Sequence, residues 1–210
     1  TLETIHISSD INKIDMRFPV QTVLRPQNDT HRDYRGYAGR LASGIVRKGD
    51  EVMVLPSGFT SKVKSIDTYD ESLTEAYAPM SISITLEDDI DISRGDMIVR
   101  SNNKPDATQD IEVMLCWLHD NPARPRAKYT IKHTSNNQTA IIKEVIYKIN
   151  INTLERMRDD KDLTMNDIAK VKIRTTKPLM TDSYRDNKTT GSIILIDDAT
   201  NETVAAGMIK

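Results

Sequence analysis

The 210-residue chain has one cysteine, Cys116, so no internal disulfide and no thiolate metal cluster can form. Aromatic residues make up 5% of the chain, with a single Trp, so the core has to be built from Val, Ile, Leu and Met. No apolar run approaches the roughly 18 residues needed to span a bilayer, and the N-terminus lacks the basic, apolar, small-residue succession of a signal peptide. Neither sign of charge dominates: 29 Lys and Arg stand against 31 Asp and Glu, mixed along the chain. That balance provides no broad electrostatic footprint for duplex nucleic acid. The expectation is a cytoplasmic protein with no membrane partner and with nucleic acid an unexpected one.

Catalytic signatures are equally scarce. The stretch "AGRLASGIVRKGDEVMVLPSG" meets the G-x-x-x-x-G spacing twice, at Gly39/Gly44 and Gly44/Gly49, but neither pair is followed by the Lys and hydroxyl of a phosphate loop. Asp50 and Glu51 follow Gly49 and would repel a nucleotide. No histidine pair stands at i, i+4, and His119 and His133 could meet a metal only across a barrel. The carboxylates of "EDDID" (87–91) and "RDDKD" (158–162) fall at loop positions and read as solvated charge. No G-x-S-x-G elbow surrounds a serine. Cys116, in "IEVMLCWL", reads as a small buried hydrophobe. Two basic stretches, "NPARPRAKY" and "SYRDNKTTG", with Trp117, Tyr129 and Tyr184 nearby, could bind a single strand by stacking, but read more simply as loop rims. No catalytic, cofactor-binding or metal-ligating residue is assigned.

Short period-two runs are abundant. "EVMVL" (51–55), "SKVKSI" (61–66), "MSISITL" (80–86) and "DMIVR" (96–100) are each bounded by turn formers. The polar run "SNNKPDATQD" (101–110) reads as a linker, and beyond it come longer strands at 111–118, 127–134, 139–152, 169–175, 191–197 and 203–209. "HTSNNQT" reads as a hairpin turn. Helix is expected only as a turn or two within 152–163 and as the end of an amphipathic helix in "TLETIHI". Such a pattern predicts an all-β chain, a barrel or a sandwich. Gly44, after Ser43, suits a bulge or a close backbone approach, and Gly49 with Asp50 suits a tight turn.

Together, "RFPVQTVLRP", "YRGYAGRLASGIVRKGDEVMVLPSG", "LEDDIDISRGDMIV" and "KTTGSIILIDDATNETVAAGMI" resemble the large, GTP-binding subunit of bacterial heterodimeric sulfate adenylyltransferases, within the translation-factor GTPase superfamily. Ile193 stands where the family usually has Phe, and the match is loose over 101–128. The resemblance implies two consecutive antiparallel β-barrels of the translation-factor domain 2 and domain 3 type: residues 13–103 and 108–210, preceded at 1–12 by the end of a GTPase domain. Its structural motif positions are Gly39, Ser43, Gly44, Gly49, Asp50, Gly95, Asp96, Gly191, Asp197 and Gly207. It also implies a small catalytic subunit and the chain's own GTPase domain as partners. GTP and Mg²⁺ would belong to the parent subunit and ATP to the small one, with no cofactor in this portion. Two alternatives stand beside this reading: tRNA-binding barrels of an elongation-factor GTPase, and a free-standing β-barrel interaction module.

Overall fold

The computed structural model describes residues 11–26, 34–124 and 126–210; "TLETIHI" and His31 lie outside them. No helix occurs among the described residues. The first half forms β1 (Arg17–Leu24), β2 (Gly36–Arg40), β3 (Ile45–Arg47), β4 (Glu51–Leu55), β5 (Thr60–Asp67), β6 (Ser72–Leu73), β7 (Glu75–Tyr77), β8 (Ser81–Leu86) and β9 (Met97–Arg100). Six of these pair antiparallel in the order β4-β9-β1-β2-β8-β5, and β5 returns to β4, so the sheet closes into a barrel. Closure removes the unpaired edges that would otherwise recruit other strands. β3 and β7 form a separate two-stranded ladder.

The second half forms β10 (Asp106–Trp117), β11 (Lys128–His133), β12 (Asn136–Ile149), β13 (Arg156–Met157), β14 (Ile168–Thr181), β15 (Ser192–Asp197) and β16 (Thr203–Ile209). The order β11-β15-β16-β10-β14-β12 likewise closes, through β11–β12 pairing. Each barrel fills its interior from alternate strand positions, as period-two patterning demands. Phe18, Val20, Tyr37, Val54 and Ile84 pack inside the first. Val113, Leu115, Trp117, Ile131 and Val171 pack inside the second. There Trp117 meets Tyr129 edge to face, with ring centroids 5.8 Å apart, and donates its indole N–H to the Asn121 carbonyl at 2.9 Å.

Three expectations are corrected. The polar linker is shorter than its composition predicts, because 106–110 already pair with β14. The helical turn expected in 152–163 is a reverse turn leading into β13, which pairs with the end of β12. Asn150 forces this, its side-chain oxygen accepting from the N–H groups of Asn152 and Thr153, while Leu154 takes a positive φ of 61°. Cys116 is half-buried on the outer face of β10, not a core residue.

Candidate functional site

The chain enters β1 through "MRFPV" (16–20), in which an arginine sits among apolar residues. Arg17 is 2% exposed and lies where the two barrels meet. Its Nε and Nη2 donate to the two carboxylate oxygens of Asp182, the residue just past β14, each at 2.9 Å. Nη1 donates to the carbonyls of Met16 and Asn103, both at 3.0 Å, and Nη2 also donates to Asn103 Oδ1 at 3.1 Å. Every guanidinium N–H therefore has an acceptor, the condition under which a buried charge is tolerated. Thr190 completes the carboxylate, donating its hydroxyl to Asp182 at 2.6 Å.

The rest of the junction is built around this pair. Asn187, buried on the second barrel, donates its amide to Ser43 Oγ at 2.7 Å, and Ser43 in turn donates to the Asp15 carbonyl. Asn12 bonds both Asp15 and the Asp186 carbonyl. Burial pushes the Asp15 carboxyl up, but the amides of Asn103 and Asn12 and the charge of Arg17 outweigh it and hold the group below the usual carboxylate range. His133 ends β11 with its ring 2.7 Å from the Thr190 carbonyl, so Nε2 is the protonated nitrogen. Burial drives the His133 pKa down, against the opposing pull of that carbonyl and of Asp182. An apolar seam of Leu55, Met97, Val99 and Met180 lies beside the polar network and joins the same two barrels.

Ser43 and Gly44 thus stand in the junction. Gly44 has φ +76°, and a Cβ there would come within 2.5 Å of the Met16 Cα, so this position needs both the left-handed backbone and the missing side chain. Gly95 reaches the junction elsewhere, its carbonyl accepting from Asn136 at 3.4 Å, and Asp96 accepts from the Ser93 N–H. Gly191 packs against the Tyr184 backbone on the second barrel. The remaining motif positions are dispersed. Gly49 and Asp50 form a turn in which the Asp50 carboxylate accepts from the Arg47 N–H, Asp197 accepts from Ala199 and Thr200, and Gly207 lies against Val113.

Gly39 floors an open groove of about 270 Å³ on the first barrel, lined by Gln21, Thr22, Asp67, Tyr69, Ser81 and Ser83 among others. No Lys or Arg lines it, so it has no charge with which to hold a phosphate. Sequence reasoning missed Arg17, Asn103, Asp182, Asn187 and Thr190; the one available signal was an arginine inside an apolar strand. His119 pairs with Glu202, whereas His133 serves the junction, so the two histidines share no partner. Trp117 and Tyr129 are core residues, which removes them as stacking platforms for a nucleic acid. The acidic clusters are partly engaged: Asp89 and Asp91 with Arg35, and Asp160 with Lys148.

Two closed barrels clasped by a buried ion pair define a tandem-barrel module of the translation-factor type. The same architecture occurs in sup35 complexed with GDP, at a TM-score of 0.82 and 17% identity over 94% of this chain and 48% of that one. It occurs too in translation elongation factor SelB from Methanococcus maripaludis, at 0.72 and 18% over 100% and 44%. Residues 110–210 match the family described as GTP-eEF1A C-terminal domain-like. By sequence the chain is similar to proteins named sulfate adenylyltransferase subunit 1. It is 48% identical to the protein of that name from Bacteroides thetaiotaomicron and 47% identical to the bifunctional enzyme CysN/CysC of Mycobacterium tuberculosis, in each case over 99% of its length. It spans 44% and 34% of those two relatives' lengths.

Proposed function

We propose that this chain is the barrel scaffold, residues 13–103 and 108–210, of a GTP-regulated sulfate adenylyltransferase large subunit. In that enzyme a sulfate oxygen attacks the α-phosphorus of ATP, forming adenosine 5′-phosphosulfate and releasing pyrophosphate. That step takes place on a separate small subunit. A GTPase domain in the same polypeptide as the barrels binds GTP and Mg²⁺ and drives it. The barrels hold that domain and pass its state to the small subunit, with no bond made or broken on them.

The observation that carries this reading is near-50% identity across 99% of the chain to relatives named sulfate adenylyltransferase subunit 1 and bifunctional enzyme CysN/CysC. The junction supports it physically. Coupling between sites needs an element that moves as a unit, and a fully satisfied buried ion pair with an apolar seam ties one barrel to the other.

The test compares the purified 210-residue chain with the full-length parent plus small subunit, following GTP hydrolysis and adenosine phosphosulfate formation. The chain alone is expected to be inactive in both assays, and the assembled enzyme to make product in a GTP-stimulated manner. Turnover of either reaction by the chain alone would overturn the reading. So would saturable binding of aminoacyl-tRNA that weakens steeply with salt.

A further inference from the structure

An inward-pointing lysine stands near the end of β12. Lys148 pairs across the ladder with Ala169, a core residue, so the two side chains share one face, and Lys148 is 5% exposed. A buried ammonium is tolerated only when its three donors all find acceptors. They do, and every acceptor comes from one segment: Asp160 Oδ2 at 2.7 Å, the Asp162 carbonyl at 2.8 Å and Asp167 Oδ2 at 2.8 Å. That segment is "RDDKDLTMND" (158–167), which joins β13 to β14.

Little else holds the segment down. Leu163 is its one buried residue, 2% exposed, and belongs to the core cluster that includes Trp117 and Tyr129. The segment forms no strand, and its backbone bonds to the rest of the barrel are few. The Leu163 carbonyl accepts from the Ala123 N–H at 2.9 Å, the Asn166 N–H donates to the Trp117 carbonyl at 2.8 Å, and the Asp167 carbonyl accepts from the Trp117 N–H at 2.9 Å. Lys161 reaches the Val145 and Ile146 carbonyls of β12, both at 2.8 Å. These contacts carry the segment from β12 to the end of β10, at the mouth of the barrel away from the junction residues Asp106 and Thr181. Sparse apolar burial and exposed backbone are the properties of a segment that opens separately from the core beneath it.

Closed, the ammonium and the two carboxylates compensate one another. The hydrogen bond from Lys148 holds Asp160 below the usual carboxylate range, and although burial pushes Asp167 up, the bonds from Lys148 and Thr164 outweigh it. With the segment lifted, the mouth is open to water, which solvates all of these charges, so none is left buried and unpaired. We propose that residues 158–167 are a strap that opens as a unit over the folded second barrel, with Lys148 as its latch. The strap is a conformational device of this chain and stands independently of the function proposed above. Lifting it uncovers the core position of Leu163 and a single ammonium. Such a mouth suits an apolar side chain flanked by carboxylates, which is what the strap presents in "DKDL" (160–163).

The experiment is residue-resolved native-state hydrogen exchange at neutral pH in the 210-residue chain. It compares the Ala123 and Asn166 N–H groups, whose bonds close the strap, with those of Val171 and Ile173 in the β14 ladders. The strap amides are expected to exchange about tenfold or more faster than the ladder amides. Lys148→Met, which keeps the stem and deletes the ammonium, should speed the strap amides about tenfold or more again while changing the ladder amides by about twofold or less. Asp160→Asn, at a half-exposed carboxylate, should speed the same strap amides about threefold, and carries the test if Lys148→Met does not fold. Equal protection of strap and ladder amides in the parent would overturn the inference, since nothing would open separately. So would variants that speed every amide alike, which would make Lys148 a support of the whole barrel, or variants that leave Ala123 and Asn166 unchanged, which would remove the latch.

Discussion

Replacing Arg17 with Met tests whether the barrels are one mechanical unit. The substitution keeps much of the aliphatic stem but deletes the guanidinium, leaving Asp182, whose side chain is 14% exposed, with the Thr190 hydroxyl as its remaining described side-chain donor. The Asn103 side-chain oxygen and the Met16 and Asn103 carbonyls each lose a donor as well. Breaking a buried pair from one side costs about 3–5 kcal/mol, because a charge is left uncompensated in a region closed to water. A control on the surface is Arg35→Ala, whose partners Asp89 and Asp91 are more than four-fifths exposed, for which about 1 kcal/mol or less is expected. Urea unfolding followed by Trp117 fluorescence, which reports the second barrel, and by far-UV circular dichroism, which reports both, reads the difference. The parent should unfold in one transition with coincident probes. Arg17→Met should lower the midpoint strongly and separate the two probes, since each barrel keeps its own core. A loss below about 1 kcal/mol with coincident probes would refute the assignment of the ion pair as the clasp.

Two further outcomes follow from the same junction. Gly44→Ala should cost about 2 kcal/mol or more in chemical denaturation, since it combines left-handed strain with a Cβ driven into the Met16 backbone. Gly49→Ala, with φ +86° but open space around it, should cost about 1 kcal/mol, and equal losses would show that the close approach at Gly44 is unimportant. His133 is neutral and buried, with its pKa below the unfolded value of about 6.5, so near pH 6 the folded state binds fewer protons than the unfolded state. Stability should therefore fall as pH drops from about 7.5 to 5.5, by up to about 1.4 kcal/mol for each unit below 6.5. His133→Gln should flatten that slope, and an unchanged slope would exclude His133 as its source.

Much of the fold was readable from local pattern. Alternation in "EVMVL", "SKVKSI" and "GSIILID" places their strands to within a residue or so, because each has one face in a core and one outside. The helical expectation for 152–163 failed because helix-forming residues such as Leu154, Glu155 and Arg156 were overruled by an asparagine turn and by pairing with β12. Cys116 misled for a related reason. An apolar residue at an outward position of a strand looks like core until the register of its neighbours is known.

By itself, then, the amino-acid order determined the strand content, the turn positions, the absence of a phosphate loop and the likeness to sulfate adenylyltransferase subunit 1 proteins. These are local or short-range properties, expressed by period, glycine placement and motif strings. Only the tertiary structure decided that Arg17 meets Asp182 across 165 positions and that Asn187 meets Ser43 across 144. It also decided that Ile194, Ala206, Cys116 and Ile168, scattered in sequence, stand side by side on one outer face. Those contacts depend on barrel closure and strand register, which are set by the burial of two whole cores and are written in no single stretch of the chain.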